Sequence, residues 1–388
     1  MGSRNPKLNC VIINQLDDIQ RAWVEIDRQA IANNVRQFKR YLKAPTELMA
    51  VVKADAYGHG AIRVAQTVLQ EGATWLAVAT LSEGIELRKA GLTAPILILG
   101  ATNTPQEIQA IAYWQLQPTL CNPQQALLFS ETMAAVGQNL PVHLILDTGM
   151  SRLGTVWHQA VEFVGLVERL PHLQIASVYS HLATAEDIDT ATMRQQHQRF
   201  EQAIALLRDG GIVPPCLHLA NSAATLSNRA AHYDLVRVGL GLYGLYPAPH
   251  LQTALDLQPV LQVKARVTQV KTIPPRTGVS YGHRFVTHRQ MRLAVVGIGY
   301  ADGVPRQLSN RLQVLVRGQL VPQIGAITMD QLMLDISKLP DIQPGEVVTL
   351  IGKDGKHQIS ADDWAATLET ISWEILCGFK HRLPRITL

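Results

Sequence analysis

The sequence has few of the residues that mark secreted or membrane proteins. Its 388 residues include only four cysteines, which form neither a disulfide framework nor a zinc-ligand pattern. They are Cys10, Cys121, Cys216 and Cys377. No apolar run reaches the roughly 18 residues of a membrane-spanning helix, and residues 1–14 lack the apolar core of a signal sequence. We therefore expect reduced thiols, no membrane partner and a cytoplasmic location.

Charge is also scarce. Charged residues make up 17% of the chain and leave a formal net charge of +4. The basic residues are scattered, without the stripes or interleaved aromatic residues of a nucleic-acid-binding surface, so we expect no nucleic-acid partner. Hydrophobic residues are plentiful at 47%, and a chain of this length has enough of them for two domains with separate cores.

Short apolar runs alternate with helical patterns from about residue 48 to residue 240. Eight such runs in about 200 residues, with helices between them, favour a (β/α)8 barrel of the TIM type over an open sheet. The predicted strands centre on Met49–Lys53, Trp75–Ala79, Ile96–Leu99, Leu116–Leu120, His143–Asp147, Ala176–His181, Cys216–Leu219 and Leu235–Val238.

The pattern changes after Pro247 and Pro249, where β-rich runs are separated by glycine and proline. This composition predicts an all-β second domain. The β-rich runs are Val260–Ile273, Met291–Ile298, Leu312–Val316, Gln331–Ile336 and Val347–Ile351. We therefore expect a loose tail over residues 1–18, a barrel over residues 19–255 and a β domain over residues 256–388.

Polar and glycine-rich segments follow several of the predicted barrel strands, where the active-site rim of such a barrel lies. They are Lys53, Asp147–Arg152, His181, Asn221–Ser222 and Arg237–Leu240. Residues 239–244 match the glycine pattern of dinucleotide sites, but Pro247 and Pro249 prevent the long helix that such a site requires. Backbone N–H groups there, with the Ser222 hydroxyl, can instead hold a phosphate monoester.

Lys53 is the most informative single residue. It stands in Val51–Gly60, where an apolar strand gives way to a glycine-rich turn. A lysine amine held and desolvated at the end of a buried strand has a lowered pKa and reacts with aldehydes, although a lone lysine there is more often only solvated.

The decapeptide Val51–Gly60 resembles the pyridoxal-phosphate attachment site of alanine racemases, and the resemblance extends over residues 20–388. It implies that Lys53 binds the cofactor covalently, and that the protein interconverts L- and D-alanine for peptidoglycan of the cell wall. The implied cofactor site comprises Lys53, Tyr57, Arg152, His181, Asn221, Ser222, Arg237, Gly239, Leu240 and Trp373. The implied substrate contacts are Arg152, Met329, Tyr281 and Tyr300, and the implied catalytic residues are Lys53, Tyr281, His181 and Arg237.

Inverting a stereocentre requires two bases on opposite faces of the substrate. By the resemblance these are Lys53 and Tyr281, the latter supplied by the partner in a head-to-tail homodimer with shared active sites. A phenol ordinarily titrates near pH 10, too high for a base near neutrality, so His181 and Arg237 are the candidates to stabilise it. Arginine only donates hydrogen bonds, so Arg237 would leave the cofactor's ring nitrogen unprotonated and favour racemisation.

Three positions depart from the family pattern. Ile145 occupies the place of a frequently carbamylated lysine, Trp373 that of a phosphate-binding tyrosine, and Ala326 that of a common arginine. We expect Asp147 or a bound anion such as chloride to neutralise Arg152 instead. An ion pair between Asp302 and Arg306 is also expected at the substrate entrance. The alternatives are a serine or broad-specificity racemase and a non-catalytic pyridoxal-phosphate carrier. A basic decarboxylase is disfavoured, because it would be expected to keep an acidic partner for the cofactor's ring nitrogen, where this chain has Arg237.

Overall fold

The structure, a computed structural model, describes residues 20–388, so the predicted tail over residues 1–18 lies outside the described residues. The described chain forms two compact units. One comprises residues 28–260, and the other comprises residues 20–27 together with residues 261–388.

The unit of residues 28–260 is an eight-stranded parallel barrel. The strands, first to eighth in chain order, are Glu47–Val51, Trp75–Val78, Ile96–Ala101, Gln117–Leu120, Leu140–Asp147, Leu173–Tyr179, Leu217–His218 and Leu235–Val238. The eighth strand pairs with the first, from Leu235 opposite Glu47 to Val238 opposite Ala50. The seventh and eighth strands form no ladder, but two backbone hydrogen bonds of 3.0 and 3.1 Å connect residues 217–220 with residues 234–237. The predicted barrel and its eight strands are confirmed.

Helices surround this barrel, and their ends follow from local sequence. They are Arg28–Tyr41, Ala61–Gln70, Leu81–Lys89, Pro105–Tyr113, Pro123–Val136, Ala160–Arg169, Ala191–Asp209 and the short Ser222–Ser227. Thr80 and Glu83 form a capping box that begins one helix, and the left-handed Gly137 ends another. Ile31, Val35 and Phe38 recur at helical spacing and are almost fully buried, so the first helix packs its apolar face inward.

The second unit is rich in β-strands, as predicted, and most of its strands pair antiparallel. Its strands are Ala22–Ile26, Leu261–Ile273, Gly278–Val279, Phe285–Val286, Met291–Val296, Gln313–Val316, Gln319–Pro322, Leu332–Asp335, Val347–Asp354, His357–Ile359 and Arg385–Thr387. The helices Ala361–Leu368 and Ser372–Gly378 complete it. The long strand Leu261–Ile273 is central, because it pairs with Met291–Val296, Val347–Asp354 and Ala22–Ile26.

The structure differs from the prediction at the start of the described chain. We expected residues 19–27 in the barrel, but strand Ala22–Ile26 belongs to the β-rich unit. It lies between Leu261–Ile273, antiparallel, and Arg385–Thr387, parallel. Both of its edges are therefore hydrogen-bonded there, which a buried strand requires. Within residues 20–388, no helix combines the length and apolar character needed to cross a membrane.

Candidate active site

Lys53 follows the first barrel strand and opens a left-handed turn. Residues 54–57 all have φ between 52° and 56°, a conformation that costs L-residues roughly 1–2 kcal/mol each. Hydrogen bonds hold this turn: the Ala54 N–H donates to Glu83 Oε1 at 2.7 Å, and the Ala61 N–H donates to Asp55 Oδ1 at 2.7 Å. The ring of His59 stacks on Tyr243 with centroids 4.4 Å apart. Backbone strain that is held by surrounding contacts is typical of functional sites. Here the strained turn fixes the backbone position from which the half-buried Lys53 side chain extends.

Arg237, on the eighth strand, is 3% exposed and is surrounded by neutral groups. Its NH1 donates to His218 Nδ1 at 2.7 Å, and its NH2 lies 2.9 Å from the Ser180 carbonyl oxygen. The guanidinium also lies 5.1 Å from the ring centroid of Tyr179. Burial lowers the pKa of Arg237 to about 10. The side chain therefore remains a buried cation at neutral pH, and among the described residues it makes no ion pair with a carboxylate.

His181 lies beside this arginine at the end of the sixth strand. Its Nδ1 accepts a hydrogen bond from Arg237 NH2 at 3.1 Å. Burial, with a smaller contribution from the cations Arg237, Arg152 and Lys53, lowers the pKa of His181 to about 3. The imidazole is therefore neutral and protonated on Nε2, because arginine cannot accept a hydrogen bond. The structure thus brings the predicted site residues Lys53, Arg152, His181 and Arg237 to one rim of the barrel.

The predicted phosphate-binding residues Ser222, Gly239 and Leu240 follow the seventh and eighth strands. The Gly239 N–H donates to Ser222 Oγ at 2.9 Å, and Asn221 caps the following helix through the Ala224 N–H at 3.0 Å. A Cβ added to Gly239 would lie 2.6 Å from the hydroxyl oxygen of Tyr57, so glycine is what admits that hydroxyl. The buried Leu240 begins the next turn.

The surroundings of Arg152 differ from one of our predictions. Asp147 Oδ1 accepts hydrogen bonds from the Gly149 and Ser151 N–H groups at 2.8 and 3.1 Å. The carboxylate thus stabilises its own loop, and over residues 20–388 no ion pair with Arg152 is formed. The prediction that Asp147 neutralises Arg152 is wrong. Ile145 packs in an apolar cluster with Cys121, Tyr179 and Leu153.

Four predicted site residues lie in the β-rich unit. Tyr281 is 72% exposed, Met329 53% and Tyr300 42%, while Trp373 is half-buried in helix Ser372–Gly378. Tyr281 lines a cavity of about 800 Å³ together with Thr328 and Gln331. The segments of Tyr300 and Met329 are joined, since the Tyr300 N–H donates to the Thr328 carbonyl oxygen at 3.0 Å.

The predicted ion pair between Asp302 and Arg306 is wrong, because in the described chain Asp302 pairs with Arg21 and Arg382. Asp302 is buried and accepts from Arg21 NH2 at 2.6 Å and NH1 at 3.0 Å, with Arg382 Nε at 3.5 Å. Its carboxylate also accepts from the Gly299 N–H, so it points into the unit. Arg21 directly precedes strand Ala22–Ile26, which we had assigned to the other unit.

Sequence reasoning missed several buried side chains behind Arg237. His218 contacts the arginine directly and stacks on Tyr179 with centroids 4.5 Å apart and an interplanar angle of 9°. His143 and Ser177 continue the contact further into the barrel. The only sequence signal was the presence of histidines within otherwise apolar strands.

The barrel site fits pyridoxal phosphate on two grounds. The hydroxyls of Tyr57 and Ser222 both lie at Gly239, where an added Cβ would lie 2.6 Å from Tyr57 Oη and where the Gly239 N–H donates to Ser222 Oγ. The amine of Lys53 and the cation of Arg237 share one rim, and no group of three or more His, Cys, Asp or Glu residues in the described chain could hold a metal. The fold and the site therefore define a pyridoxal-phosphate-dependent enzyme built on a (β/α)8 barrel.

Comparison with known proteins gives the family. The alanine racemase N-terminal domain model matches residues 26–247, and the alanine racemase C-terminal domain model matches residues 260–387. The chain is 69% identical to the alanine racemase of Synechocystis sp. over 369 residues, which are 95% of this chain and 99% of that one. It is 42% identical to the alanine racemase of Halothermothrix orenii, covering 94% and 96% of the two chains.

A solved structure of similar fold is that of the Bacillus anthracis alanine racemase with bound L-Ala-P, which is 36% identical with a TM-score of 0.90 and 95% coverage of both chains. The chain belongs to the alanine racemase family. It is a pyridoxal-phosphate-dependent isomerase that interconverts L-alanine and D-alanine.

Proposed function

We propose that the racemisation uses two bases, Lys53 from the barrel of one subunit and Tyr281 from a second copy of the chain. Pyridoxal phosphate supplies a conjugated ring that withdraws electrons from the substrate Cα and makes its proton removable. Lys53 would hold the cofactor covalently through its Nζ and, when free, would take or give a proton on one face of the substrate Cα. Tyr281 Oη does the same on the opposite face.

The observation that carries this proposal is the environment of Arg237, which consists of neutral hydrogen-bond acceptors and one aromatic ring. Its guanidinium contacts only imidazole nitrogens, carbonyl oxygens and an aromatic ring. Such a group offers a hydrogen bond to the cofactor's ring nitrogen but no proton. With its nitrogen unprotonated, the bound ring would withdraw electrons less strongly, which would favour return of the proton to Cα over its transfer to another position. This preference favours racemisation over amino-group transfer.

The remaining predicted residues have binding roles. Tyr57, Ser222 and the backbone of Gly239 and Leu240 bind the phosphate, while Asn221 positions the helix that carries Ser222. Trp373 contributes its indole N–H, which can only donate. The substrate carboxylate meets Arg152 and the Met329 N–H, and Tyr300 narrows the entrance.

The neutral His181 can donate a hydrogen bond from its Nε2–H toward the phenolic oxygen of Tyr281, while its Nδ1 accepts a hydrogen bond from Arg237. Arg152 has no carboxylate partner in the described chain. A chloride ion beside it would supply the negative charge that the apolar Ile145 cannot. Both residues therefore stabilise negative charge where the phenolate and the carboxylate would lie.

The homodimer follows from the same assignment. Tyr281 is 72% exposed in the single chain, and a catalytic phenol needs surroundings that exclude water. A second copy of the chain that covers Tyr281 would provide those surroundings and complete the site. The D-alanine formed supplies peptidoglycan synthesis in the cytoplasm.

Circular dichroism of separate incubations with L-alanine, D-alanine and L-serine tests this proposal. We expect loss of signal with both alanine enantiomers and a slow change with serine. Tyr281→Phe removes one base, so we expect turnover to fall by about 10²–10⁴-fold with the cofactor still bound. The proposal of two bases fails if Tyr281→Phe racemises alanine at the wild-type rate. Equal rates with serine and alanine would instead indicate a broad-specificity racemase.

A further inference from the structure

Five polar side chains form one continuous hydrogen-bonded network through the barrel interior. Gln117, His143, Ser177, His218 and Arg237 come from the fourth, fifth, sixth, seventh and eighth strands. The successive distances are 2.8 Å, 2.6 Å, 2.8 Å and 2.7 Å from Gln117 Oε1 to Arg237 NH1. We call these five residues the interior network. Only its last member, Arg237, belongs to the catalytic machinery assigned above.

The network has a single hydrogen-bond direction. Arg237 only donates, so His218 Nδ1 must accept and its Nε2 must carry the proton, which it donates to Ser177 Oγ. The Ser177 hydroxyl then donates to His143 Nδ1, and His143 Nε2–H donates to the amide oxygen of Gln117. Within the described chain this is the arrangement in which every N–H and O–H between the five residues has an acceptor.

Burial reinforces this arrangement. His143, Ser177 and His218 are each at most 1% exposed. Burial lowers the pKa of His143 to about 3 and also lowers the pKa of His218 well below its usual range. Both imidazoles are therefore neutral, and neither can reverse the network by gaining a second proton. The tautomer of His218 is thus supported from both ends: by the Arg237 N–H on one side and, through Ser177 and His143, by the Gln117 amide oxygen on the other.

We propose that Ser177, His143 and Gln117 are positioning residues that hold His218 in the Nε2–H tautomer, so that Arg237 keeps its hydrogen bond to His218 and its orientation toward the cofactor. Without this constraint His218 can adopt the Nδ1–H tautomer. Its Nδ1–H would then face the N–H of Arg237, and two donors cannot form a hydrogen bond. The guanidinium would then rotate away from His218. The inference rests on the proposed role of Arg237 and adds the residues that control it.

Nitrogen-15 NMR of histidine-labelled apoprotein near pH 8 tests the tautomers without cofactor or activity. The signals of His143 and His218 are assigned by substituting each with glutamine. We expect both residues to be neutral and protonated at Nε2. A charged imidazole, or an Nδ1–H tautomer at either position in the wild-type protein, would overturn the proposal.

Ser177→Ala breaks the network in its middle, and Ser130→Ala is the matched control. Ser130 is likewise buried and donates through Oγ to the Pro171 carbonyl oxygen at 2.8 Å, outside the network. We expect an Nδ1–H population at His218 in Ser177→Ala only. We also expect kcat to fall by about 10-fold, the equivalent of one hydrogen bond to a charged group, with little change in KM. Ser177→Thr keeps the hydroxyl and should restore the tautomer.

Gln117→Met tests the same inference at the half-buried end of the network, where folding is least at risk. It removes the final acceptor, so we expect mixed tautomers at His143 and a smaller fall in kcat. An unchanged His218 tautomer in Ser177→Ala, with kcat equal to that of Ser130→Ala, would refute the proposal. A wild-type protein with the expected tautomers but no racemase activity would refute the proposed function of Arg237 alone.

Discussion

Substituting Gly239 with alanine should weaken cofactor binding by crowding one tyrosine. The added Cβ would lie 2.6 Å from Tyr57 Oη, 3.1 Å from its Cζ and 3.4 Å from Val51 Cβ. Tyr57 would have to retreat by roughly 0.8 Å to regain ordinary contact. Because φ at Gly239 is −116°, the backbone does not need a glycine for its φ, and the effect comes from the contact.

The magnitude follows from two terms. Overpacking a well-filled site costs about 1–3 kcal/mol, and the hydrogen bond from a displaced hydroxyl to a charged phosphate is worth about 1.5–3 kcal/mol. The ring of Tyr57 packs against Tyr243 with centroids 5.0 Å apart, so it has little room to move without loss. We therefore expect the Kd for pyridoxal phosphate to rise about 10- to 100-fold.

The assay is a titration of the apoprotein with pyridoxal phosphate, followed by absorbance, with thermal unfolding of the apoprotein alongside. Gly165→Ala is the control, since it lies in helix Ala160–Arg169 and its new Cβ would meet Ile212 Cδ1 at an ordinary 3.4 Å. That variant should bind the cofactor as the wild type does. If Gly239→Ala also binds with wild-type affinity, the assignment of Tyr57 to the phosphate is refuted.

Three further predictions concern stability and anion binding. Folding lowers the pKa values of three buried histidines, His143, His181 and His218, so the unfolded chain binds more protons than the folded chain below about pH 6.5. The free energy of unfolding, measured by urea denaturation, should therefore fall by about 1.4 kcal/mol per histidine between pH 7.5 and pH 5.5. A constant value over this range would contradict the burial argument. Ala54→Gly should relieve the left-handed backbone strain at φ 52° and raise the free energy of unfolding by up to about 1 kcal/mol. The control Ala134→Gly, at an exposed position in helix Pro123–Val136, should lower the free energy of unfolding by about 1 kcal/mol. Equal losses in the two variants would refute the strain argument. Chloride should lower the KM for alanine, and this dependence should vanish when Arg152 is replaced by glutamine; a persisting dependence would assign the ion elsewhere.

The barrel strands could be predicted because each is a short apolar run bounded by turn residues. Buried parallel strands need such runs on both faces, so their sequence signal is strong. Lys53, His181 and Arg237 could be placed on one rim for the same reason, since the carboxyl ends of parallel strands meet at one end of a barrel.

Other features depend on contacts between distant residues and leave no local signal. Strand Ala22–Ile26 pairs with residues about 240 positions later, and Arg21 reaches Asp302 by the same route. The left-handed turn over residues 54–57 contains no glycine, so nothing in its sequence indicated positive φ. The histidines of the interior network were indistinguishable from packed core residues until their partners were known.

Subunit complementation tests the shared active site most directly. Lys53→Ala and Tyr281→Ala should each be inactive alone, because each lacks one of the two bases. When the two variants are dissociated and reassociated together, a mixed dimer contains one site with both wild-type residues. Random pairing in equal amounts should therefore restore about one quarter of wild-type activity. A mixture that forms dimers but remains inactive would contradict a site that takes Lys53 from one subunit and Tyr281 from the other.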